Sequence, residues 1–452
     1  MDAREVRLDA ALARRLRDRV SALAPLGSLH GDGAALDGAA RDALDRLARR
    51  LVNTYPYGEP RYVGQMLKPP HPLAWAAYAT AMLLNPNNHA LDGGPATAAM
   101  EHEAVAKLAA MFGLPSPLGH LTSSGTIANL EALWVARELA PEKAILVGEN
   151  AHYTHERLCG VLRARSERLP QDANGRLDLD ALEQRLRQGG AGTVVATLGT
   201  TGLGAVDPVH AIADLCERNG VRLHVDAAYG GFHVLLADGG RPGVEAAPFA
   251  ALHRADSIVV DPHKHGLQPY GCGCVLFADR GVGRLYAHDS PYTYFTSKER
   301  HLGEISLECS RAGAAAAALW TTLEALPLTR EGLGGLLAPA RAAALALRDG
   351  LEPASVALVV DPDLDIVCPF PRLPRASQIS AACERAFDRL GDDGWHAAKL
   401  RVATDWLRRT HPQIEADAVE VTTLRMVLMK PEHLQIVDEL ASALRDHLAP
   451  PR

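Results

Sequence analysis

The sequence has no long apolar run and no excess of basic charge, and each absence removes a class of protein. No uninterrupted apolar stretch among its 452 residues approaches the roughly 20 residues of a membrane-spanning helix, so we expect no membrane partner. The formal net charge is -7 and arginines are spread along the whole chain, which leaves no basic surface for nucleic acid. The amino terminus is charged from its second residue, which predicts a cytoplasmic protein.

A cysteine framework is also lacking. The seven cysteines are an odd set, and the closest pair, Cys272 and Cys274, alternates along an apparent strand. Because no second pair lies at zinc-ligand spacing, reduced packing cysteines are a better interpretation than a zinc site. We therefore expect neither disulfides nor a metal.

What the sequence does contain is an alternation of strand-like and helix-like segments. The apolar runs AILVGE, GTVVATLGTT, VRLHVDAAYG, ADSIVVDPHK and GCVLFAD predict buried strands. Between them, LDALEQRLRQGG and VHAIADLCERNG have helical periodicity and end in glycine. This order predicts an α/β fold around a mostly parallel sheet.

The composition and periodicity of the sequence divide the chain into three parts. Residues 1–60 are helical and then turn-rich, and we expect an arm that packs on a partner subunit. Residues 61–326 carry the alternating segments of a large domain. Residues 327–452 change to Ala/Leu/Arg-rich helices and separate strands, which predicts a smaller α+β domain.

Two strand ends carry chargeable groups, Asp226 in HVDAAYGG and Lys264 in DPHKHG. Ligands of open α/β sheets bind at the carboxyl ends of strands, so these positions favour function over surface charge. A lysine in a partly dry pocket has its pKa lowered from about 10.4, and its neutral amine can form a Schiff base with an aldehyde. Pyridoxal phosphate is such an aldehyde, and a carboxylate about 4 Å from its pyridine nitrogen would stabilise the protonated form by about 4 kcal/mol.

The segment HLTSSGTIANLEAL offers donors for a phosphate at the start of a helix. Ser124, Gly125 and Thr126 directly precede or begin the periodic run. Alone, this pattern indicates only an N-cap. Together with Asp226 and Lys264 it indicates a phosphate site.

These motifs occur in an order that resembles one family. TSSGTIANLEAL, AHYTHERL, VATLGTTGLGAVDP, HVDAAYGG, DPHKHG and LECSRAGA resemble the group II pyridoxal-phosphate-dependent amino acid decarboxylases, which include aromatic amino acid and glutamate decarboxylases. The resemblance extends from Arg61 to Leu323. It implies the aspartate aminotransferase fold (fold type I) and a homodimer with active sites at its interface.

The resemblance also implies a role for each matching residue. Lys264 would be the Schiff-base lysine, Asp226 the partner of the pyridine nitrogen and His152 the imidazole stacked on the ring. The remaining cofactor contacts would be made, in chain order, by Ser124, Gly125, Thr126, Thr201, Ala228 and His263.

Several nearby residues have a structural alternative. His152, His155 and Glu156 can face one side of a helix as metal ligands, although the stacking role for His152 is favoured. His224 is interpreted as a hydrogen-bonded core histidine. Arg311 can bind a phosphate or a substrate carboxylate, and a structural salt bridge is an equal alternative.

The segment before the first motif resembles the part of the family that lines the substrate pocket. The substrate candidates there are Gln65, His71, Asn87, Asn88 and His89, to which Arg311 is added. Each of the first five has a turn or capping alternative, because Asn and His are common near Pro and Gly.

The family returns a proton to Cα from a tyrosine on a loop, and here the match is ambiguous. An ungapped alignment to glutamate decarboxylases places Arg300 there, with His301 beside it. A gapped alignment to archaeal tyrosine decarboxylases places Tyr294 there, with Tyr292 nearby. Because a phenol stays protonated to about pH 10, we expect Tyr294 to be the donor.

The predicted activity is decarboxylation of an L-amino acid to a primary amine and carbon dioxide. The alternatives on the same scaffold are an aldehyde-forming oxidative decarboxylase, an aminotransferase and a carbon–carbon lyase, because the protein selects which Cα bond breaks. A cofactor-binding protein without turnover is disfavoured by the intact Asp226, His152 and Lys264.

Overall fold

The computed structural model describes residues 10–23, 38–89, 93–287, 302–351 and 355–449. Within these ranges the α-helices, in chain order, are α1 (Ala10–Leu23), α2 (Gly38–Leu51), α3 (Pro72–Met82), α4 (Pro95–Met111), α5 (Gly125–Leu139), α6 (Thr154–Leu162), α7 (Leu179–Arg187), α8 (Val209–Asn219), α9 (Ala246–Ala250), α10 (Gly313–Ala325), α11 (Gly334–Gly350), α12 (Ala376–Asp392), α13 (Thr404–Leu407) and α14 (His433–Leu448). The strands are β1 (Leu118–Thr122), β2 (Ala144–Gly148), β3 (Ser166–Leu169), β4 (Ala191–Thr197), β5 (Arg222–Asp226), β6 (Ser257–Val260), β7 (Gly273–Phe277), β8 (Val356–Leu358), β9 (Ile366–Val367), β10 (Pro369–Pro371), β11 (Ala398–Ala403) and β12 (Glu420–Val427).

The central sheet has seven strands in the order β1-β7-β6-β5-β4-β2-β3. Only β7 is antiparallel to its neighbours, which confirms the mostly parallel sheet predicted from the sequence. All five predicted strands are present as β2, β4, β5, β6 and β7. The sequence did not indicate β1 or β3, and β3 is a short edge strand with only Leu169 buried.

The direction of the strands brings several polar loops to one edge of the sheet. Because β7 opposes both β1 and β6, β1 runs in the same direction as the parallel strands. The carboxyl ends of β1, β4, β5 and β6 therefore meet on one side, where α5 begins. All seven residues of β4 are buried, as expected for a strand covered on both faces.

Helix ends follow the signals in the sequence. Gly220 ends α8 in a left-handed conformation with φ of 59°, which favours glycine. Asp178 caps α7 by accepting a hydrogen bond from the Ala181 amide at 2.9 Å. These caps fix the lengths of the crossover helices that flank the sheet.

The carboxyl-terminal region has its own antiparallel sheet, in the order β11-β12-β9, packed against α12. The short pair β8 and β10 and the packed helices α11 and α14 complete it. The segment at Tyr62–Val63 joins this region, because Val63 accepts a hydrogen bond from the Val427 amide and donates one to His396. The domain boundaries at residues 60 and 326 remain predictions.

No helix in the described part of the chain is both long and apolar enough to cross a membrane.

Candidate active site

A pocket of about 200 Å³ opens at the carboxyl edge of the central sheet. It contains all the residues that the sequence analysis assigned to the cofactor, namely Ser124, Gly125, Thr126, His152, Thr201, Asp226, Ala228, His263 and Lys264. Tertiary structure thus brings together motifs that are far apart in the sequence. Their individual roles remain predictions.

Asp226 is the last residue of β5 and is buried at the base of the pocket. Its Oδ2 lies 2.9 Å from Nε2 of His155, which donates the hydrogen bond, and its Oδ1 accepts one from the Ala228 amide at 3.1 Å. Burial favours the neutral acid, but the His155 hydrogen bond and the charges of His155 and Lys264 outweigh it and hold the pKa of Asp226 well below its usual range. The pocket therefore contains a carboxylate that is ionised at neutral pH.

Lys264 lies in the turn that follows β6. Its amine is 3.2 Å from Oδ2 of Asp261, and its side chain is 22 % exposed, so it can be reached from the pocket. Nδ1 of His263 donates to the Cys272 carbonyl at 2.8 Å, while its Nε2 lies 3.4 Å from the same Asp261 oxygen. Burial lowers the pKa of His263, although Asp261 opposes this effect. Asp261 thus organises the lysine and the histidine on either side of the pocket floor.

The start of α5 forms the third wall of the pocket. Ser124 caps the helix by accepting a hydrogen bond from the Ile127 amide at 3.3 Å, which is the N-cap alternative left open by the sequence. The amides of Gly125 and Thr126 are at the first turn, where they have no partner within the helix. A Cβ at residue 125 would lie 2.5 Å from Oδ2 of Asp261, so the close approach of this turn requires glycine.

His152 lies half-buried at the pocket, and its Nδ1 hydrogen-bonds with Oγ1 of Thr154 at 2.6 Å. Burial lowers the pKa of this imidazole, with Asp226 acting in the opposite direction. A neutral, flat ring of this kind suits a stacking role.

The metal alternative for the AHYTHERL motif does not match the structure. His155 binds Asp226, whereas Glu156 forms a bidentate pair with Arg168 at 2.6 and 2.7 Å on the surface. The three potential ligands therefore point to different partners.

Behind the Asp226–His155 pair lies a second buried histidine. His224 donates from Nε2 to Oδ1 of Asn129 at 2.8 Å and lies 2.9 Å from the Ser257 hydroxyl through Nδ1. Burial, reinforced by the charge of His155, lowers its pKa to about 3. These contacts are those of the hydrogen-bonded core histidine that the sequence predicted.

Sequence reasoning missed three residues of this site. His155 had been considered only as a metal ligand, and neither Asp261 nor Asn129 was named. Asp261 follows β6 directly, so the rule that selected Asp226 also applies to it. Only the fold shows that His155 faces Asp226, because the pair is separated by β3, β4 and two helices.

None of the proposed substrate residues lines this pocket within the described chain. His71 caps α3, with its Nδ1 accepting from the Leu73 amide. Gln65 is exposed, and it lines a separate surface cavity with Tyr62 and Trp395. His89 donates its backbone amide to Oδ1 of Asn87.

Asn88 and Arg311 instead make structural contacts. Asn88 is fully buried and donates to Oε2 of Glu101 at 2.7 Å. Arg311 pairs with Oε1 of the same glutamate and donates to the Leu121 carbonyl at 2.7 Å. The salt bridge left open for Arg311 is thus the contact that the structure contains. A short polar motif cannot distinguish such buried pairing from ligand binding.

The predicted proton donors Tyr294 and His301, with Tyr292, lie outside the described residues.

Comparisons with known proteins point to one family. A model of the pyridoxal-dependent decarboxylase conserved domain matches residues 72–334. The chain is 32% identical over 314 residues to a probable L-tyrosine/L-aspartate decarboxylase of Methanothermobacter thermautotrophicus, covering 69% of this chain and 83% of that protein. It is 31% identical over 410 residues to an L-tyrosine decarboxylase of Enterococcus faecium, covering 69% of this chain and 67% of the relative. A probable L-aspartate decarboxylase of Halobacterium salinarum is 32% identical over 77% of this chain and 90% of its own.

Solved structures share the fold. The crystal structure of Oryza sativa TDC with PLP and tryptamine superposes with a TM-score of 0.80 at 19% identity, over 98% of this chain and 100% of that one. Mouse CSAD gives 0.78 at 22% identity, over 97% and 98%. At these identities the likeness concerns the fold, and it confirms the fold type I architecture expected from the sequence.

Proposed function

This chain belongs to the pyridoxal-dependent decarboxylases and is a carboxy-lyase for amino acids that uses pyridoxal phosphate, and we propose that Lys264, Asp226 and His152 are its catalytic residues. The proposal rests on one observation: these three residues line the same pocket as the first turn of α5. When bound, the cofactor supplies an electron sink for the electron pair left by the departing carboxylate.

The pocket fits that cofactor on three sides. Lys264 offers an accessible amine for the aldehyde. Asp226 offers an ionised carboxylate for the pyridine nitrogen. The first turn of α5 offers amide donors for the phosphate. Because residue 125 is a glycine, no Cβ collides with the Asp261 carboxylate where this turn approaches it.

Asp226 would hold a proton at the pyridine nitrogen. His155 supports this role as a positioning residue, because its hydrogen bond keeps Oδ2 deprotonated and fixed at the end of β5. His152 would stack on one face of the ring and Ala228 would contact the other. Thr201 would approach the ring hydroxyl or the carboxylate of Asp226, and His263 would support Lys264 or the phosphate.

Mass mapping after borohydride reduction tests the anchor. We expect the reduced cofactor on the peptide that contains Lys264, and we expect Lys264→Ala to abolish turnover. The matched control is Lys68→Ala, which removes another partly buried lysine whose amine donates to the Met429 carbonyl. Labelling at Lys68 or Lys298 would contradict the assignment.

Product analysis tests the outcome of the reaction. The substrate panel should contain every common L-amino acid, with tyrosine and aspartate first because the relatives are named for them. We expect one carbon dioxide and one primary amine per turnover. Ammonia or hydrogen peroxide alongside carbon dioxide would instead identify the oxidative reaction.

Tyr294 is proposed to return the proton to Cα. Tyr294→Phe should slow amine formation and, in the presence of dioxygen as the oxidant, divert product toward aldehyde and ammonia, with dioxygen reduced to hydrogen peroxide. Unchanged products in Tyr294→Phe, with activity lost in His301→Ala, would assign the role to the histidine.

A homodimer is proposed for the assembly. Leu44, Leu47 and Leu51 lie three and four residues apart on α2 and are 51–59 % exposed, which gives this helix an uncovered apolar stripe. A second copy of the chain would cover it. Sedimentation should give twice the chain mass, and the triple Glu variant of these leucines should give the chain mass; a monomeric parent protein would refute the proposal.

A cytoplasmic location is also inferred, because all seven cysteines are free thiols. Cell fractionation checks it, and recovery outside the cytoplasm would contradict it.

A further inference from the structure

A second group of chemically capable side chains lies next to the cofactor pocket. His233, His265 and Asp365 are each 0 % exposed, and their potential ligand atoms lie within 4.8 Å of one another. We refer to these three residues as the His–Asp cluster. His265 follows the pocket lysine, His233 lies in the 3-10 turn Gly231–Leu236, and Asp365 precedes β9. No metal was expected from the sequence, because no second cysteine pair lies at zinc-ligand spacing, and the three residues of this cluster are far apart in the chain.

The polar atoms of the cluster lie close together but form no aligned hydrogen bonds with one another. Nε2 of His265 is 3.2 Å from Oδ2 of Asp365, and Nε2 of His233 is 4.0 Å from the same oxygen. Even so, both ring nitrogens of each histidine and this Asp365 oxygen have no aligned hydrogen-bond partner within the described residues. Buried polar atoms are rarely left in this state, because each one costs free energy.

The other Asp365 oxygen is held in place. The Tyr229 hydroxyl donates to Oδ1 at 2.7 Å, so Oδ2 is directed toward the two imidazoles. Such a hydrogen bond to the second oxygen of a carboxylate is typical of the outer partners that orient metal ligands.

The nearest fixed cations do not take the place of an ion at Oδ2. Lys68 donates to the Met429 carbonyl at 3.0 Å, and Arg341 donates to the Pro362 carbonyl at 2.8 Å. In the described part of the chain, the ion pairs of Asp365 are those with His233 and His265.

We propose that His233, His265 and Asp365 bind one divalent transition-metal ion, with Zn²⁺ the best match to two imidazoles and a carboxylate. Ligand atoms around a tetrahedral zinc ion, each about 2.1 Å from the metal, lie about 3.4 Å apart. The distances of 3.2 and 4.0 Å to Asp365 bracket that value, and a water molecule would supply the fourth ligand. The ion would connect the Lys264 turn to the chain entering β9, and its role would be structural.

Metal analysis of the tag-free holoenzyme tests the proposal. The protein is dialysed against a chelator, exposed to Zn²⁺ and freed of loosely bound ion before elemental analysis. We expect about one zinc per chain and a rise of about 5 °C in Tm on zinc addition, since the ion binds only the folded state. His233→Gln and Asp365→Asn should each lower the zinc content at least fivefold.

His120→Gln is the matched control. His120 is also 0 % exposed and lies 3.0 Å from a buried carboxylate, Glu131, outside the cluster. This variant should retain zinc. Equal zinc content in all the variants would place the ion elsewhere and overturn the proposal.

A spectroscopic measurement on the unmodified chain keeps the proposal testable if the variants fail to fold. X-ray absorption of the zinc-loaded holoenzyme should show only nitrogen and oxygen ligands, with the scattering pattern of two imidazoles. Co²⁺ exchanged into the site should give visible d–d bands. A protein that retains no zinc and shows no such bands, or a site with sulfur ligands, would refute the assignment.

Discussion

Among the described residues, Asp226 and Asp365 are buried carboxylates that lie beside histidines, and they differ in the geometry of their hydrogen bonds to those histidines. Asp226 and His155, the pocket pair, form an aligned 2.9 Å hydrogen bond at the cofactor pocket. Asp365 in the His–Asp cluster lies 3.2 Å from His265 and 4.0 Å from His233 without an aligned bond to either. An aspartate and a histidine thus form a hydrogen bond at the pocket, whereas the same residue types in the cluster have polar atoms without a hydrogen-bond partner.

The surroundings explain the difference. Asp226 ends a strand and faces a cavity, so its negative charge can act on a ligand. Asp365 is sealed, and one of its oxygens is occupied by Tyr229. We therefore expect changes at the pocket pair to alter catalysis and changes at the cluster to alter stability.

The largest effect is expected from Asp365→Asn. Asp365 is the ion-pair partner of His265 and His233, and breaking a buried pair from one side is strongly destabilising, so the free energy of unfolding should fall by about 3–5 kcal/mol. Because the pKa of Asp365 is held well below its usual range, its contribution is present above the unfolded pKa of about 4 and is lost as the pH falls through the folded pKa. Denaturant unfolding of the parent and the variant, at pH 7 and at a series of pH values below 4, measures this: the stability difference between them should be constant above about pH 4 and shrink below it. If the variant is as stable as the parent at pH 7, the expectation that the cluster governs stability is wrong.

Asp226→Ala is expected to reduce kcat by two or more orders of magnitude. The loss corresponds to several kcal/mol of transition-state stabilisation at the pyridine nitrogen. Steady-state kinetics at saturating cofactor measure it, with unfolding curves to show that the fold persists. A rate within threefold of the parent would exclude this role.

His155→Gln is expected to lower kcat about tenfold and to change its pH profile. Without the His155 hydrogen bond and charge, burial raises the pKa of Asp226, so its ionised fraction falls as the solution is acidified. The acid limb of kcat should therefore move to higher pH. His120→Gln should leave the limb in place, and an unmoved limb in His155→Gln would mean that this histidine is only structural.

Tyr229→Phe is expected to have the smallest effect, a fall of about 1 kcal/mol in the free energy of unfolding, because Oδ1 of Asp365 loses one hydrogen-bond donor. Tyr229 also borders the cofactor pocket, so the rate should be followed in parallel. An activity loss larger than that of His155→Gln, at unchanged stability, would show that Tyr229 acts directly in the pocket and not through the cluster.

Much of the fold and of the cofactor site was predictable from short patterns. The runs that became β2, β4, β5, β6 and β7 are apolar enough to stand out, because strands covered on both faces need no polar alternation. Polar residues at the ends of such runs converge in any parallel sheet, and for this reason the sequence predicts that Asp226 and Lys264 lie close together, as they do in the pocket.

The substrate candidates remain predictions, and their patterns in the sequence are less specific than those of the strand ends. Asn87, Asn88 and Arg311 lie near Pro or Gly in the sequence, and such positions serve caps, turns and ligands alike. In the structure, Asn88 and Arg311 both bind the carboxylate of Glu101. Glu101 is a buried residue of α4, and the sequence around it does not indicate this role.

The sequence by itself determined the parallel sheet, the order of the motifs and the chemistry of each motif, because these depend on residues within a few positions of one another. Only the tertiary structure decided which of those groups meet. His155 reaches Asp226, and Asp365 reaches two histidines from a distant part of the chain. Such pairings depend on the direction and packing of whole elements, and no local pattern of residues encodes them.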